Sequence, residues 1–185
     1  PADPRYYGLV RKTRTGAEWI RSLQRTAPRM AIIAPTFADA RDTCIEGESG
    51  LRSICANGEI TKWNRSLGEL EFATGAKVKL FSGDQPDRLR GPQHYAIWVD
   101  ELAAFQYVQE AWDMAMFGLR LGADPRCVVT TTPRPLPLIK RLLSDSTTHV
   151  TRGATYENRD NLAPAFFAEI VSRYEGTRLG RQELN

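Results

Sequence analysis

"HYAIWVDELAAF", residues 94–105, runs a stretch of apolar residues directly into two adjacent carboxylates. Tyr95–Val99 reads as a strand covered on both faces, and such a strand normally stops in a turn residue rather than in acids. Asp100 and Glu101 are therefore placed for a purpose. In open parallel sheets ligands bind beyond the carboxyl ends of the strands, which is where these two acids stand.

Working outward, further strand-like runs recur at 6–10 ("YYGLV"), 30–34 ("MAIIA"), 127–131 ("CVVTT") and, more weakly, 148–151 ("THVT"). Between the first two lies "RTGAEWIRSLQR", with Ala17, Ile20 and Leu23 at helical spacing. Before "CVVTT" lies "VQEAWDMAMFGLRLG", which Gly122 is expected to close as a C-terminal cap. Strands alternating with helices predict an α/β fold with a mostly parallel sheet flanked by helices. "ELEFATGAKVKLF" (69–81) departs from that pattern. Leu70 and Phe72 before Thr74-Gly75, and Val78 and Leu80 after it, predict an antiparallel hairpin at a sheet edge. Beyond Val150 the chain turns polar, and Pro164 opens an amphipathic helix with Phe167, Ile170 and Tyr174 on one face. The reading is a core over 1–150 and a small helical lid or linker over 151–185.

The composition is that of an ordinary globular chain, 42% hydrophobic and 25% charged over 185 residues. No run is long enough to span a bilayer, and "PADPRYYGLV" lacks the basic start and apolar segment of a secretion signal, so no membrane partner is expected. Cys44, Cys55 and Cys127 have no CxxC spacing, which points to reduced, structural thiols rather than zinc or disulfides. His94 and His149 are too distant from one another to form an acid/base or metal centre. A net charge of +3 permits a nucleic-acid partner without requiring one.

A hydrophobic strand ending in Asp-Glu suits a nucleotide hydrolase: the first carboxylate holds the magnesium shell and the second orients and deprotonates the attacking water. The plainer alternative is an acid pair capping the helix that starts near Leu102. Such a hydrolase also has a strand, a glycine-rich loop and a helix opening in Lys-Ser/Thr. "YYGLV", Arg11-Lys12-Thr13 and "RTGAEWIRSL" reproduce that frame, but Tyr6 and Arg11 stand where the Gly-x-x-x-x-Gly spacing places glycines. Loop residues missing from the numbered chain would explain this as an interruption between Val10 and Lys12. A third feature, "VVTTTPRP", ends a strand in three hydroxyls that can contact a phosphate or water and relay its presence.

Together these residues resemble the ATPase domain of phage terminase large subunits, motors that package DNA into viral capsids. The resemblance runs through "KTRTGAEWIR", "IIAPTFADARDTCIEGESGL", "LFSGDQPDRLRGPQHYAIWVDELAAF", "VVTTTPRPLPLIKRLL" and "GATYENRDNLAPAFFAEIVSRYEGTRLGRQELN". It implies a P-loop NTPase of the additional-strand, conserved-glutamate type. Lys12 would be the phosphate-loop lysine, with Arg11 beside it at the nucleotide, and Thr13 the magnesium-binding hydroxyl. Asp100 would be the Walker B aspartate at the metal and Glu101 the catalytic base. Thr130, Thr131 and Thr132 would form the coupling motif, the last two reaching the nucleotide. ATP and Mg2+ are the implied cofactors. The implied partners are double-stranded DNA, the portal of the procapsid, the small terminase subunit and further copies of the chain in a ring, within the host cytoplasm. The family carries a C-terminal nuclease domain that this chain stops short of, so no nuclease activity is expected of the fragment. Because rings gain from an arginine that completes a neighbour's site, Arg90 in "PDRLRGPQ" (86–93) is the expected catalytic arginine, with Arg88 as the alternative. A surface salt bridge to Asp84 or Asp87 is the competing role for either. Two other readings of the whole chain are a non-catalytic interaction remnant of the same fold, supported by the altered phosphate loop, and a helicase-like translocase.

Overall fold

The computed structural model describes residues 12–132, 134–151, 153, 172–173 and 177. The chain divides into two compact units, one of Lys12–Thr131 and one of Pro1–Arg11 with Thr132–Asn185. In the first unit, helix α1 (Lys12–Ser22) precedes strand β1 (Arg29–Ala34). A helical turn, α2 (Phe37–Asp39), then runs into a π-helical turn, Ala40–Ile45, and is followed by α3 (Leu51–Ile54). Strands β2 (Ile60–Asn64), β3 (Glu69–Phe72), β4 (Lys77–Ser82) and β5 (Ala96–Asp100) come next, then α4 (Val108–Gly118) and β6 (Arg126–Thr130). In the second unit, α5 (Pro137–Ser144) starts on a proline, whose fixed φ suits the first helical turn, and buries Leu138 and Ile139.

One sheet of six strands, in the order β2-β3-β4-β1-β5-β6, organises the first unit. β4, β1, β5 and β6 run parallel, while β2, β3 and β4 form an antiparallel end. The expected hairpin is there, with Leu70 opposite Val78 and Gly75 at φ +83 in its turn, where a side chain would be strained. It is extended by one outer strand, β2, which the sequence did not announce. Its burial is irregular, with most of its residues exposed, so no apolar alternation marks it.

β5 is buried at every position. Successive side chains of a strand point to opposite faces, so Ala96, Trp98 and Asp100 share one face while Ile97 and Val99 share the other. The first face carries the main core: Met30, Ile32 and Ala34 of β1, Val78 and Leu80 of β4, Ala17 and Ile20 of α1, and Cys44 and Ile45 of the π turn. The helical spacing of Ala17 and Ile20 thus marks the stripe by which α1 meets the sheet. α1 comes so close to β5 that a Cβ built on Gly16 would fall inside the Trp98 indole.

Two expectations change. α4 ends at Gly118 rather than Gly122, because the chain turns there to form an isolated parallel bridge between Leu119 and His94, with the His94 N–H donating to the Gly118 carbonyl at 2.8 Å. Gly122, at φ +82, shapes the following loop instead. Residues 148–151 form no strand. The strand expected at 6–10, the suspected interruption before Lys12, and the lid lie outside the described residues, apart from Thr151, Gly153, Thr177, and Ser172 and Arg173, which are helical.

Candidate functional site

The carboxyl ends of β5 and β6 lie side by side, Asp100 paired with Thr130 in register. Asp100 is only 4% exposed. Its two oxygens are held separately: the Thr130 hydroxyl donates to Oδ1 at 2.6 Å, and the Cys44 thiol donates to Oδ2 at 3.6 Å. The thiol comes from the π turn that follows β1. Thr36 and Asp39 start that segment with a reciprocal capping box, each side chain accepting from the other's backbone N–H at 3.1 Å. The wider π-helical winding then brings Cys44 over the sheet, an irregularity of a kind frequent at functional sites.

Glu101 is the one non-glycine residue among those described with positive φ, at 51°. A left-handed residue costs roughly 1–2 kcal/mol, and here the surrounding backbone enforces it. The Glu101 N–H donates to the Thr130 carbonyl at 2.6 Å, and the Ala104 N–H closes a 3-10 turn on the Glu101 carbonyl at 2.8 Å. Glu101 stands at the N-cap position of that turn, but its side chain makes no capping hydrogen bond. Its carboxylate instead meets the Lys12 ammonium, Nζ to Oε1, at 2.5 Å. The start of α1 and the end of β5 are thereby joined.

Of the residues expected at the site, the fold brings Lys12, Asp100, Glu101 and Thr130 together. Thr13 follows Lys12 in the first turn of α1, partly buried. Thr131 accepts the Ala103 N–H on its hydroxyl at 3.0 Å, tying the end of β6 to the turn after β5. Thr132 belongs to the second unit, and Arg11 lies outside the described residues. Arg90 follows a 3-10 turn, Pro86–Leu89, that buried Leu89 anchors, and both Arg88 and Arg90 are exposed. Among the described residues neither pairs with Asp84 or Asp87 within ion-pair distance. Cys44 was read as merely structural. No local signal marks a residue whose partner is 56 positions away.

Burial pushes the Asp100 carboxyl up from its ordinary value; the Thr130 hydrogen bond opposes this, and the charge of Glu101 adds to the rise. The folded protein therefore holds this proton more tightly than the unfolded chain does. Asp100 favours folding most when protonated, below the ordinary carboxyl value near 4. Its contribution falls as pH climbs from there through the raised folded value. Asp100→Asn is expected to melt above the wild type at pH 7, because the amide fills the same buried place without a charge to desolvate. The gap should close toward pH 4. Thermal unfolding across that range checks it, and a gap independent of pH would contradict it.

A buried carboxylate with lone pairs to spare, at the end of the strand that Lys12 of α1 meets through Glu101, is a hard oxygen donor. It suits Mg2+, which binds through one or two carboxylates and completes its shell with water and substrate phosphate. Among the described residues no group of three or more His, Cys, Asp or Glu side chains could hold a metal by itself, and no helix is long and apolar enough to cross a membrane.

The ATPase domain of the large terminase of Thermus phage P74-26 superposes with a TM-score of 0.64 at 18% identity, over 94% of this chain and 82% of that one. The large terminase of a second thermophilic bacteriophage, in complex with ADP, superposes with a TM-score of 0.68 at 15% identity, over 91% of this chain and 44% of that one. At such identities the likeness is one of fold. No curated protein matches the chain. Residues 12–185 match the family described as "Terminase large subunit, T4likevirus-type, N-terminal", and a match over that span of a sheet ending in Asp100-Glu101 opposite Lys12 means that the chain belongs to the terminase large subunits.

Proposed function

We propose that this chain is the ATP-hydrolysing motor domain that drives double-stranded DNA into a procapsid, working as a ring of copies on the portal with the small terminase subunit, in the host cytoplasm. The observation that carries the reading is the meeting of Lys12 and Glu101 at 2.5 Å beside buried Asp100. A phosphate-binding ammonium, a metal-binding carboxylate and a base converge there from α1 and β5. Membership in the family and the neighbour in complex with ADP support nucleotide as the substrate.

Lys12 leaves Glu101 for the β- and γ-phosphates when nucleotide enters. Asp100 and Thr13 would hold Mg2+, which when bound offsets charge on the phosphate oxygens. Glu101, released, orients a water in line with the γ-phosphorus and takes its proton as the bond to phosphorus forms and the bond to the ADP oxygen breaks. Arg90 of a neighbouring copy steadies the charge on the moving phosphoryl group. Thr131, bonded to the turn after β5, senses the γ-phosphate and passes its loss to the segment that follows it.

The altered residues ahead of Lys12 favour a second reading, a non-catalytic interaction remnant. Titration of the purified chain with ATP and Mg2+ decides between them. The motor reading expects saturable binding and phosphate release that both depend on Lys12 and on Mg2+; a folded chain that binds no nucleotide is the remnant.

A further inference from the structure

Trp98 is fully buried on the face of β5 that carries Asp100, and its indole lies against Gly16 of α1 with no room for even a methyl group between them. Its Nε1–H donates to Thr130 Oγ1 at 2.8 Å. That hydroxyl owns one proton and has two acceptors in reach, Asp100 Oδ1 at 2.6 Å and the Val99 carbonyl at 3.4 Å. With one lone pair taken by the indole, the hydroxyl proton is directed to the carboxylate, the shorter of the two. A buried tryptophan needs a partner for its N–H. Here the partner is the group that fixes the oxygen of Asp100, and no other apolar side chain of that bulk carries such a donor.

We propose that Trp98 is a positioning residue for the reaction: its indole, seated on Gly16 of the helix that begins with Lys12 and Thr13, sets the Thr130 hydroxyl and through it the orientation of Asp100, so that the metal-binding carboxylate is registered to the phosphate-binding helix. Trp98 touches neither nucleotide nor metal. A shift of α1 on phosphate binding moves the indole, and the Thr130 hydrogen bond carries that movement to Asp100. The proposal rests on the motor reading given above.

The experiment is a double-mutant cycle on the whole chain with Trp98→Phe, Thr130→Val and the pair. It reads Mn2+ binding in the presence of ADP, the Mg2+ concentration for half-maximal ATPase, and melting temperature. Trp98→Phe is expected to weaken Mn2+ binding and raise the Mg2+ requirement about tenfold, the size of one lost hydrogen bond, with kcat less affected once Mg2+ is saturating. In the Thr130→Val background the same change should add less than about twofold, because the path it acts through is gone. A tryptophan that only fills the core would lower the melting temperature in both backgrounds and leave metal binding alone, and that result overturns the proposal. Should Trp98→Phe not fold, the indole 15N–H resonance that Thr130→Val displaces in the labelled protein identifies Trp98. In the wild type that resonance must shift when Mg2+ and ADP are added, and an unmoved resonance overturns the proposal equally. A wild-type chain that binds no Mg2+-nucleotide removes the motor reading and this inference together, whereas a working ATPase with equal effects in both backgrounds removes this inference alone.

Discussion

Glu101→Ala is expected to lower ATP turnover by about 10²- to 10⁴-fold, the usual contribution of a positioned general base, while ATP binding stays at least as tight as in the wild type. Loss of rate without loss of affinity follows from the role proposed for the carboxylate, which is to act on the attacking water in the transition state and not on bound nucleotide. The Lys12 ion pair adds a sign to the prediction. Glu101 holds Lys12 at 2.5 Å, so the nucleotide must take the ammonium from a carboxylate that already has it. Removing the carboxylate frees Lys12 and should tighten ATP binding modestly. Glu101→Gln separates the effects, since the amide keeps the side-chain volume and can meet the ammonium through its carbonyl, yet is no base at neutral pH. Both variants should be slow. Alanine should bind ATP more tightly than glutamine. Normal hydrolysis by Glu101→Ala, measured as phosphate release at saturating Mg2+-ATP, would remove Glu101 from the mechanism.

The left-handed backbone at Glu101 explains why this part of the site could be read only halfway from sequence. An apolar strand ending in two acids identifies the position, because burial on both faces is written in consecutive residues. What the acids do next depends on one backbone angle, φ 51, that only the contacts with Thr130 and Ala104 enforce. The same contrast holds elsewhere. "MAIIA" and "CVVTT" announce strands within one residue of their observed limits, and "ELEFATGAKVKLF" announces a hairpin, since a period of two or an unbroken apolar run is local information. β2 is largely exposed and follows no such pattern. α4 stops at Gly118 because of a bridge to His94, a partner distant in sequence, and a glycine further along was the better local signal. Cys44 and Trp98 are the sharpest cases. Each is an apolar-looking buried residue, Trp98 in a buried strand and Cys44 in a half-exposed turn, and each makes its one polar contact toward Asp100, Cys44 directly and Trp98 through Thr130. Such contacts are tertiary by nature, so a chemistry-bearing motif can be recognised in sequence while the groups that aim it stay hidden.

Arg90→Ala is expected to reduce ATPase activity of the assembled protein by about 10³- to 10⁵-fold, the range for arginines that stabilise phosphoryl transfer from a neighbouring chain, and to leave nucleotide binding by single chains unchanged. The residue is exposed directly after a short 3-10 turn anchored by buried Leu89, and Gly91, at φ +103, lets the chain swing away behind it. A guanidinium exposed beside an anchored turn is accessible to another copy, and its planar fork stays charged at any working pH. The competing role, a surface salt bridge to Asp84 or Asp87, does not form among the described residues, and such a pair would in any case contribute only about 0–1 kcal/mol. Lysine should not replace it, because a point charge lacks the fork. Mixing decides whether the arginine works within a chain or across an interface. Arg90→Ala chains keep Glu101, and Glu101→Ala chains keep Arg90. In a ring assembled from both, some interfaces place an intact Arg90 against an intact Glu101, and those interfaces should turn over ATP although neither parent does. Activity should peak near equal proportions and vanish at either extreme. If the mixed rings stay silent while wild-type rings assembled in the same way are active, Arg90 acts only within its own chain. If Arg90→Ala alone hydrolyses ATP at the wild-type rate, Arg90 has no part in the reaction and Arg88 becomes the residue to test on the same turn.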